Sequence, residues 1–353
     1  MCANKTRRGF ALTELVLLLV LLAMLLSMFI PALFRSRATA RRNACINNLR
    51  QLALSLHNYH DVYKKFPVIS RDEVLTQQIA GSIDDKTRED FSWVVRILPY
   101  IEEGSLYNEI SRQSVRFKQP AFDPGYSVAG AHFATFDIAT LQCPEYAGPP
   151  RSAAKEYEAF KTDAAKKPQP KQPESGVAIG NYAALTATHL ALVSASPTKA
   201  NGIIVPEKAA TMATVRDGTS RTILLTESRE EAYSAWYGST GTWVVGLPTA
   251  AMDPEMNAEK ILSVKENTPA PVNYGPSMED KERVYLAKDK WANAGPRTWG
   301  PSSQHTGVAI HGFADGSVRA FAADIDPGTY IWLITRDGGE AMDFDQIEAL
   351  NAR

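Results

Sequence analysis

The residues able to do chemistry in this sequence fall into four groups. His305 and Asp315, the latter followed by Gly316, stand near the C-terminal end with nine residues between them. A histidine and a carboxylate on adjoining strands could form a metal or catalytic pair. The plainer reading is that Asp315 makes a turn and His305 bonds locally where a strand begins, with no third ligand evident. His311 lies between them, although strand alternation places it with Ala309 and Phe313. His57 and His60, with Asp61 next, have a helical spacing that brings two side chains to one face. Zinc there would need ligands from elsewhere, and the plainer reading is a helix end meeting a sheet. Asp217-Gly218-Thr219-Ser220 offers oxygens to calcium, but a hard cation takes six or more and this loop shows few. Cys45 and Cys143 admit two readings, a disulfide or two buried thiols. No G-x-S-x-G elbow, P-loop or dinucleotide fingerprint occurs. The expectation is a protein that is not an enzyme and has no resident cofactor, with calcium at Asp217 kept as an alternative.

The elements that must position these residues are legible in part. The chain has 353 residues, with 38 Lys+Arg against 39 Asp+Glu. That balance argues against a nucleic-acid partner, which calls for a basic excess or stripe. From Phe10 to Phe34 there are 25 residues with Glu14 the only charge. About 20 apolar residues span a bilayer core as a helix, and a secretory signal has a shorter apolar run with a small-residue cleavage site. Beyond Pro31, Ala38, Cys45, Leu49, Leu52, Leu56 and Tyr59 recur at helical spacing. The helix is expected to reach about His60, before the Phe66-Pro67 break. TILLT (222–226) and TWVV (242–245) read as strands. GVAIHGFADGSVRAFAADI reads as a hairpin whose Asp315-Gly316 centre suits a two-residue type I′ turn. Stretches at about 148–175 and 248–301 are Lys-, Ala- and Pro-rich or irregular, and read as insertions.

The N-terminal pattern carries a resemblance. Lys5, Arg7 and Arg8, then Gly9, Phe10, Glu14 and the apolar run, resemble the signal of type IV prepilins and pseudopilins. Ala11 stands where that family more often has Thr or Ser. The resemblance implies that a prepilin peptidase and N-methyltransferase cuts after Gly9 and methylates Phe10 on the cytoplasmic face. Arg35, Arg37, Arg41 and Arg42 after the span would by count favour the opposite orientation, but the cleavage motif requires the leader inside. A second resemblance rests on CINNLRQLALSLHNYHDVYKKFP, FSWVVRILPYIEEGSLY, LQCPEY, GNYAA, DGTSRTILLTES and HTGVAIHGFADGSVRAF in that order. Together these are similar to a bacterial family that joins a prepilin N-terminus to a domain of unknown function and ends in His, nine residues, Asp-Gly.

These resemblances imply an α+β, pilin-like fold, in which a long N-terminal helix lies on an antiparallel sheet with enlarged loops. The divisions expected are a leader 1–9, a transmembrane segment 10–34, an amphipathic continuation 35–65 and a β-rich body 66–353. The chain would be a single-pass inner-membrane protein, its N-terminus cytoplasmic and its body outside. Oxidation is permitted there, which favours a Cys45–Cys143 disulfide. Its role would be structural or secretory, with other pilin-like subunits as partners. The alternative is a membrane-anchored glycan- or solute-binding module that does not polymerise. A metal-dependent enzyme using His305 and Asp315 is the remaining rival.

Overall fold

The computed structural model describes residues 12–69, 91–114, 117, 121–123, 125–128, 130–152, 176–189, 192–193, 199–206, 209–230, 234–239, 241–247, 300–322 and 325–339, without the side chains at 13–14 and 28–35. The leader, Gly9 and Phe10 lie outside these residues, as do nearly all of both insertions, 153–175 and 248–299.

Helix α1 runs from Leu12 to Tyr63, 52 residues. It contains no glycine to loosen it, and Pro31 is its one proline. It stops where Lys64 turns into the left-handed region at φ 58°, and Lys64 N–H closes the last turn on His60 O at 2.7 Å. Phe66-Pro67 then leads the chain away. From Cys45 onward the stripe behaves as its spacing predicts, with Cys45, Leu49, Leu52, Leu56 and Tyr59 all buried, whereas Ala38 is exposed because it lies before the helix meets the sheet. Steps of three and four residues keep one stripe facing the sheet.

Among the described residues no helix is long and apolar enough to cross a membrane. The exposed apolar stretch whose side chains are described runs from Leu15 to Leu26. Those twelve positions (15 through 26) rise roughly 18 Å at about 1.5 Å each.

Among the described residues five strands form the main sheet in the order β5-β3-β4-β6-β7. They are β3 (Tyr182–His189), β4 (Ile223–Glu227), β5 (Trp243–Leu247), β6 (Val308–Phe313) and β7 (Val318–Ala322). A two-stranded ribbon, β1 (Ser127–Val128) with β2 (Ala131–His132), stands apart. The fold is therefore α+β with a mostly antiparallel sheet. The expectation of a wholly antiparallel sheet is corrected at one edge, where β5 pairs with β3 in parallel. The 228–242 link leaves β4 and enters β5 at the same end of the sheet. It passes β3, so β5 must run antiparallel to β4 and hence parallel to the strand between them.

The sheet is covered on both faces. Tyr182, Ala184, Leu225 and Ile310 pack with the buried stripe of α1 and with α2 (Trp93–Ile97). Ala183, Leu185, Ile223, Ala309, Phe313 and Phe321 pack with Tyr330, Leu333 and Ile334 in and after α4 (Pro327–Trp332). Between them in sequence lies α3 (Gly104–Gln113). The α2 segment is fixed by its polar edge. Ser92 caps the helix, and the Trp93 indole donates to Thr242 O at 2.7 Å.

The β6–β7 hairpin exists, but its turn differs from the expected type I′ form. Gly316 N–H donates to Phe313 O at 3.0 Å, and Phe313 N–H donates to Ser317 O at 2.8 Å. Gly316 has φ 85°, whereas Asp315 keeps an ordinary negative φ. That pattern is a three-residue loop in which a type I turn is followed by a glycine in the left-handed region. Asp315 Oδ1 instead accepts from Ser317 N–H at 2.8 Å, so the side chain supplies what positive φ would have given.

Candidate functional site

Four side chains from distant parts of the chain meet between α1 and the sheet: Cys45, Cys143, Glu227 and His305. Their ligand-type atoms all lie within 4.8 Å of one another, and all four residues are buried. Each arrives by a traceable route. Cys45 belongs to the sheet-facing stripe of α1. Cys143 opens the CPEY turn, where Tyr146 N–H closes on Cys143 O at 2.9 Å. Asn181, just before β3, holds that turn by accepting from Cys143 N–H at 3.0 Å. Glu227 ends β4 opposite Tyr182. Its Oε2 accepts from Ile310 N–H at 3.0 Å, standing in for a ladder carbonyl. Ser302 N–H donates to Glu227 O at 3.0 Å, which draws the 300–305 segment across the strand end and delivers His305.

Cys45 and Cys143 form a disulfide, with Cα atoms 5.3 Å apart across a sequence separation of 98. His305 Nε2 lies 3.7 Å from Cys143 Sγ and 3.4 Å from Glu227 Oε1. Around this centre Asn48, one turn along α1 from Cys45, donates to Gln142 O at 3.0 Å and to Tyr182 Oη at 3.3 Å. Burial, with the Glu227 carboxylate second, pushes the Tyr182 phenol far above its ordinary value. Tyr182 therefore stays a neutral hydrogen-bonding group. The cluster joins two cysteine sulfurs, an imidazole and a carboxylate in a buried site, and with the cysteines reduced such a set can hold a soft or borderline metal.

A family model described as a protein of unknown function (DUF1559) matches residues 35–328. The chain belongs to this DUF1559 family. No curated protein and no solved structure matches it. In this DUF1559 member, five of the six stretches quoted above for the family resemblance feed the same cluster. They contribute Cys45 and Asn48, Gln142 and Cys143, Asn181 and Tyr182, Glu227, and His305.

Other residues singled out in the sequence are placed elsewhere. His305 and Asp315 are not brought together. Asp315 sits exposed at the hairpin tip, its N–H donating to Thr219 O at 3.0 Å. The rise of β6, about 3.3 Å per residue, carries the tip away from His305. The spacing of the signature thus reflects one strand and its turn rather than a ligand pair. At Asp217, the calcium candidate, the two carboxylate oxygens accept from Gly338 and Gly339 N–H at 2.6 and 2.9 Å. His60 Nε2 accepts from Met212 N–H at 3.1 Å and its ring packs on Phe66, a helix-end role. His311 faces α4, its Nε2 2.7 Å from Tyr330 Oη and its Nδ1 3.1 Å from Ala309 O. Glu14 lies in α1, and its side chain is outside the described residues.

Sequence reasoning missed Glu227, Asn48 and Asn181. The available signal was Glu227 itself, an acidic residue directly ending the apolar strand ILLTE, which is buried at every position. A carboxylate buried in that way must be paired or bonded.

Proposed function

We propose that this chain is a type IV pilin-like, pseudopilin-type protein of the cell envelope, with a structural or secretory role and no catalytic one. In this reading it is made as a precursor, cut between Gly9 and Phe10 by a prepilin peptidase, and held in the inner membrane by the start of α1. The observation that carries the reading is the division of α1. The stripe of Cys45, Leu49, Leu52, Leu56 and Tyr59 is sealed against the sheet, whereas Leu15 to Leu26 present large apolar side chains at 47–65% exposure. Apolar surface of that extent needs lipid or other helices to cover it. The Cys45–Cys143 disulfide also fits a body outside the reducing cytoplasm. Glu14 then has a purpose: a carboxylate among apolar helices is tolerable when paired, and the new Phe10 amine of a neighbouring copy is the partner the reading supplies.

The test is intact mass of the full chain expressed with a prepilin peptidase. The expected product lacks residues 1–9 and carries one added methyl group. Persistence of the Met1 species in its native host overturns the reading. Glu14→Ala should abolish assembly of copies while leaving the body folded; unchanged assembly removes the role given to Glu14.

A further inference from the structure

The Cys45, Cys143, Glu227 and His305 cluster takes no part in the assembly role given to α1, and three observations point to what it could hold. The first is an unsatisfied acceptor. Glu227 is 2% exposed, and its Oε1 accepts no hydrogen bond from the described residues. A buried carboxylate oxygen without a donor is costly. The second is convergence. Cys143 Sγ and Glu227 Oε1 approach the same ring nitrogen, His305 Nε2, at 3.7 and 3.4 Å. In a nucleophile relay the carboxylate would orient the far nitrogen, Nδ1, and leave Nε2 to the sulfur. Two acceptors and an imidazole nitrogen meeting at one point is instead how ligands surround a cation.

The third observation is length. With bonds of about 2.3 Å to sulfur and about 2.0–2.1 Å to nitrogen or oxygen, a tetrahedral zinc site has edges of about 3.3–3.6 Å between unlike ligands. The two measured separations, 3.4 and 3.7 Å, sit close to those edges. Thiolate, imidazole and carboxylate are all zinc ligands.

We propose that the reduced chain binds one zinc ion through Cys45, Cys143, Glu227 and His305, and that the disulfide and the metal are alternative occupants of this site. Opening the disulfide takes two electrons and two protons, both from a dithiol, or the electrons from a phosphine and the protons from water, whose oxygen ends in the phosphine oxide; two thiols result. Zinc binding then releases two thiol protons as the thiolates coordinate. Either occupant ties α1 to the CPEY turn, so the same core can be closed before and after oxidation.

The experiment uses the full chain in detergent, in a Cys2→Ser background that removes the third thiol. It is reduced with a phosphine without oxygen and titrated with Co²⁺ and then Zn²⁺. One equivalent should bind, with intense tetrahedral ligand-field and thiolate charge-transfer bands that zinc erases; the oxidised chain should show neither. His305→Ala and Glu227→Gln should each weaken binding by about tenfold or more, and His60→Ala should leave it unchanged. If reduction unfolds the body, recovery of the far-ultraviolet circular dichroism on adding zinc supports the site. The proposal is overturned if zinc restores nothing, if the reduced chain takes up no more metal than the oxidised one, or if both ligand variants bind as the parent does.

Discussion

His305 and His311 lie six residues apart and are almost equally enclosed, at 6% and 0% exposure, yet their surroundings are of opposite kinds. His311 is on the α4 side of the sheet, among Phe313, Phe321 and Tyr330. Both its ring nitrogens have near partners, Ala309 O and Tyr330 Oη. Burial depresses it to about 3 and holds it neutral. His305 is on the α1 side, where its Nε2 faces a sulfur and a carboxylate oxygen. Burial alone therefore does not separate a packing histidine from a ligand-like one. The chemistry of the atoms that meet its nitrogens does.

That contrast can be broken from either side, and the largest effect should come from the His305 side. Reducing the disulfide releases a loop with a sequence separation of 98, which in the chain-entropy picture removes about 4–5 kcal/mol of stability. Denaturant midpoints of oxidised and reduced chains in a chelator measure it; equal midpoints would mean that the covalent tie contributes nothing. On the other side, His311→Ala should cost about 3 kcal/mol, because it leaves a cavity and a buried Tyr330 hydroxyl without its partner. The same variant should leave the Cys45–Cys143 bond intact by mass mapping. A loss of that bond would show that the two sides of the sheet are coupled.

The pH dependence sharpens the contrast further. The folded value of His311 lies below its ordinary 6.5, at about 3, so the unfolded chain binds the extra proton within that window. The stability due to neutral His311 is present above pH 6.5 and is lost as the pH falls toward 3. His132, depressed to about 4 by burial, adds in the same direction. His311→Gln should make the acid limb shallower by up to one proton, about 1.4 kcal/mol per pH unit. An unchanged slope between pH 6 and 4 would refute the assignment. The smallest effect should come from Gly316→Ala. Its φ of 85° is strained for any side chain, although a Cβ would meet nothing within 4 Å. A loss of about 1 kcal/mol is expected, with disulfide formation untouched. A disturbed disulfide would revive the pairing of His305 with Asp315.

Local pattern made much of the scaffold legible. The stripe from Cys45 to Tyr59, the strands at 223–227 and 243–247, and the 308–322 hairpin all follow from periodicities of about 3.6 and 2. The face of His311 was readable for the same reason, since alternation sets it with Ala309 and Phe313. The direction of β5 was not readable, because it depends on how the 228–242 link crosses the sheet. Nor was the turn form, because Asp-Gly serves two hairpin loops equally well until the hydrogen-bond register is fixed. The His305–Asp315 spacing looked like a pair only while the strand between them was unmeasured.

By itself the sequence determined the long helix and its two unlike halves, the strand periods and the candidate cysteines, because these depend on neighbours within a few residues. Only the tertiary structure decided that Glu227 meets His305, that both lie beside Cys45 and Cys143, and that Asp217 and Asp315 are occupied by backbone N–H groups. Those contacts join residues 78 positions apart (305 − 227) or more, or depend on a turn's exact register. Their energies arise from burial and bond geometry in the packed molecule, which no local stretch of chain encodes.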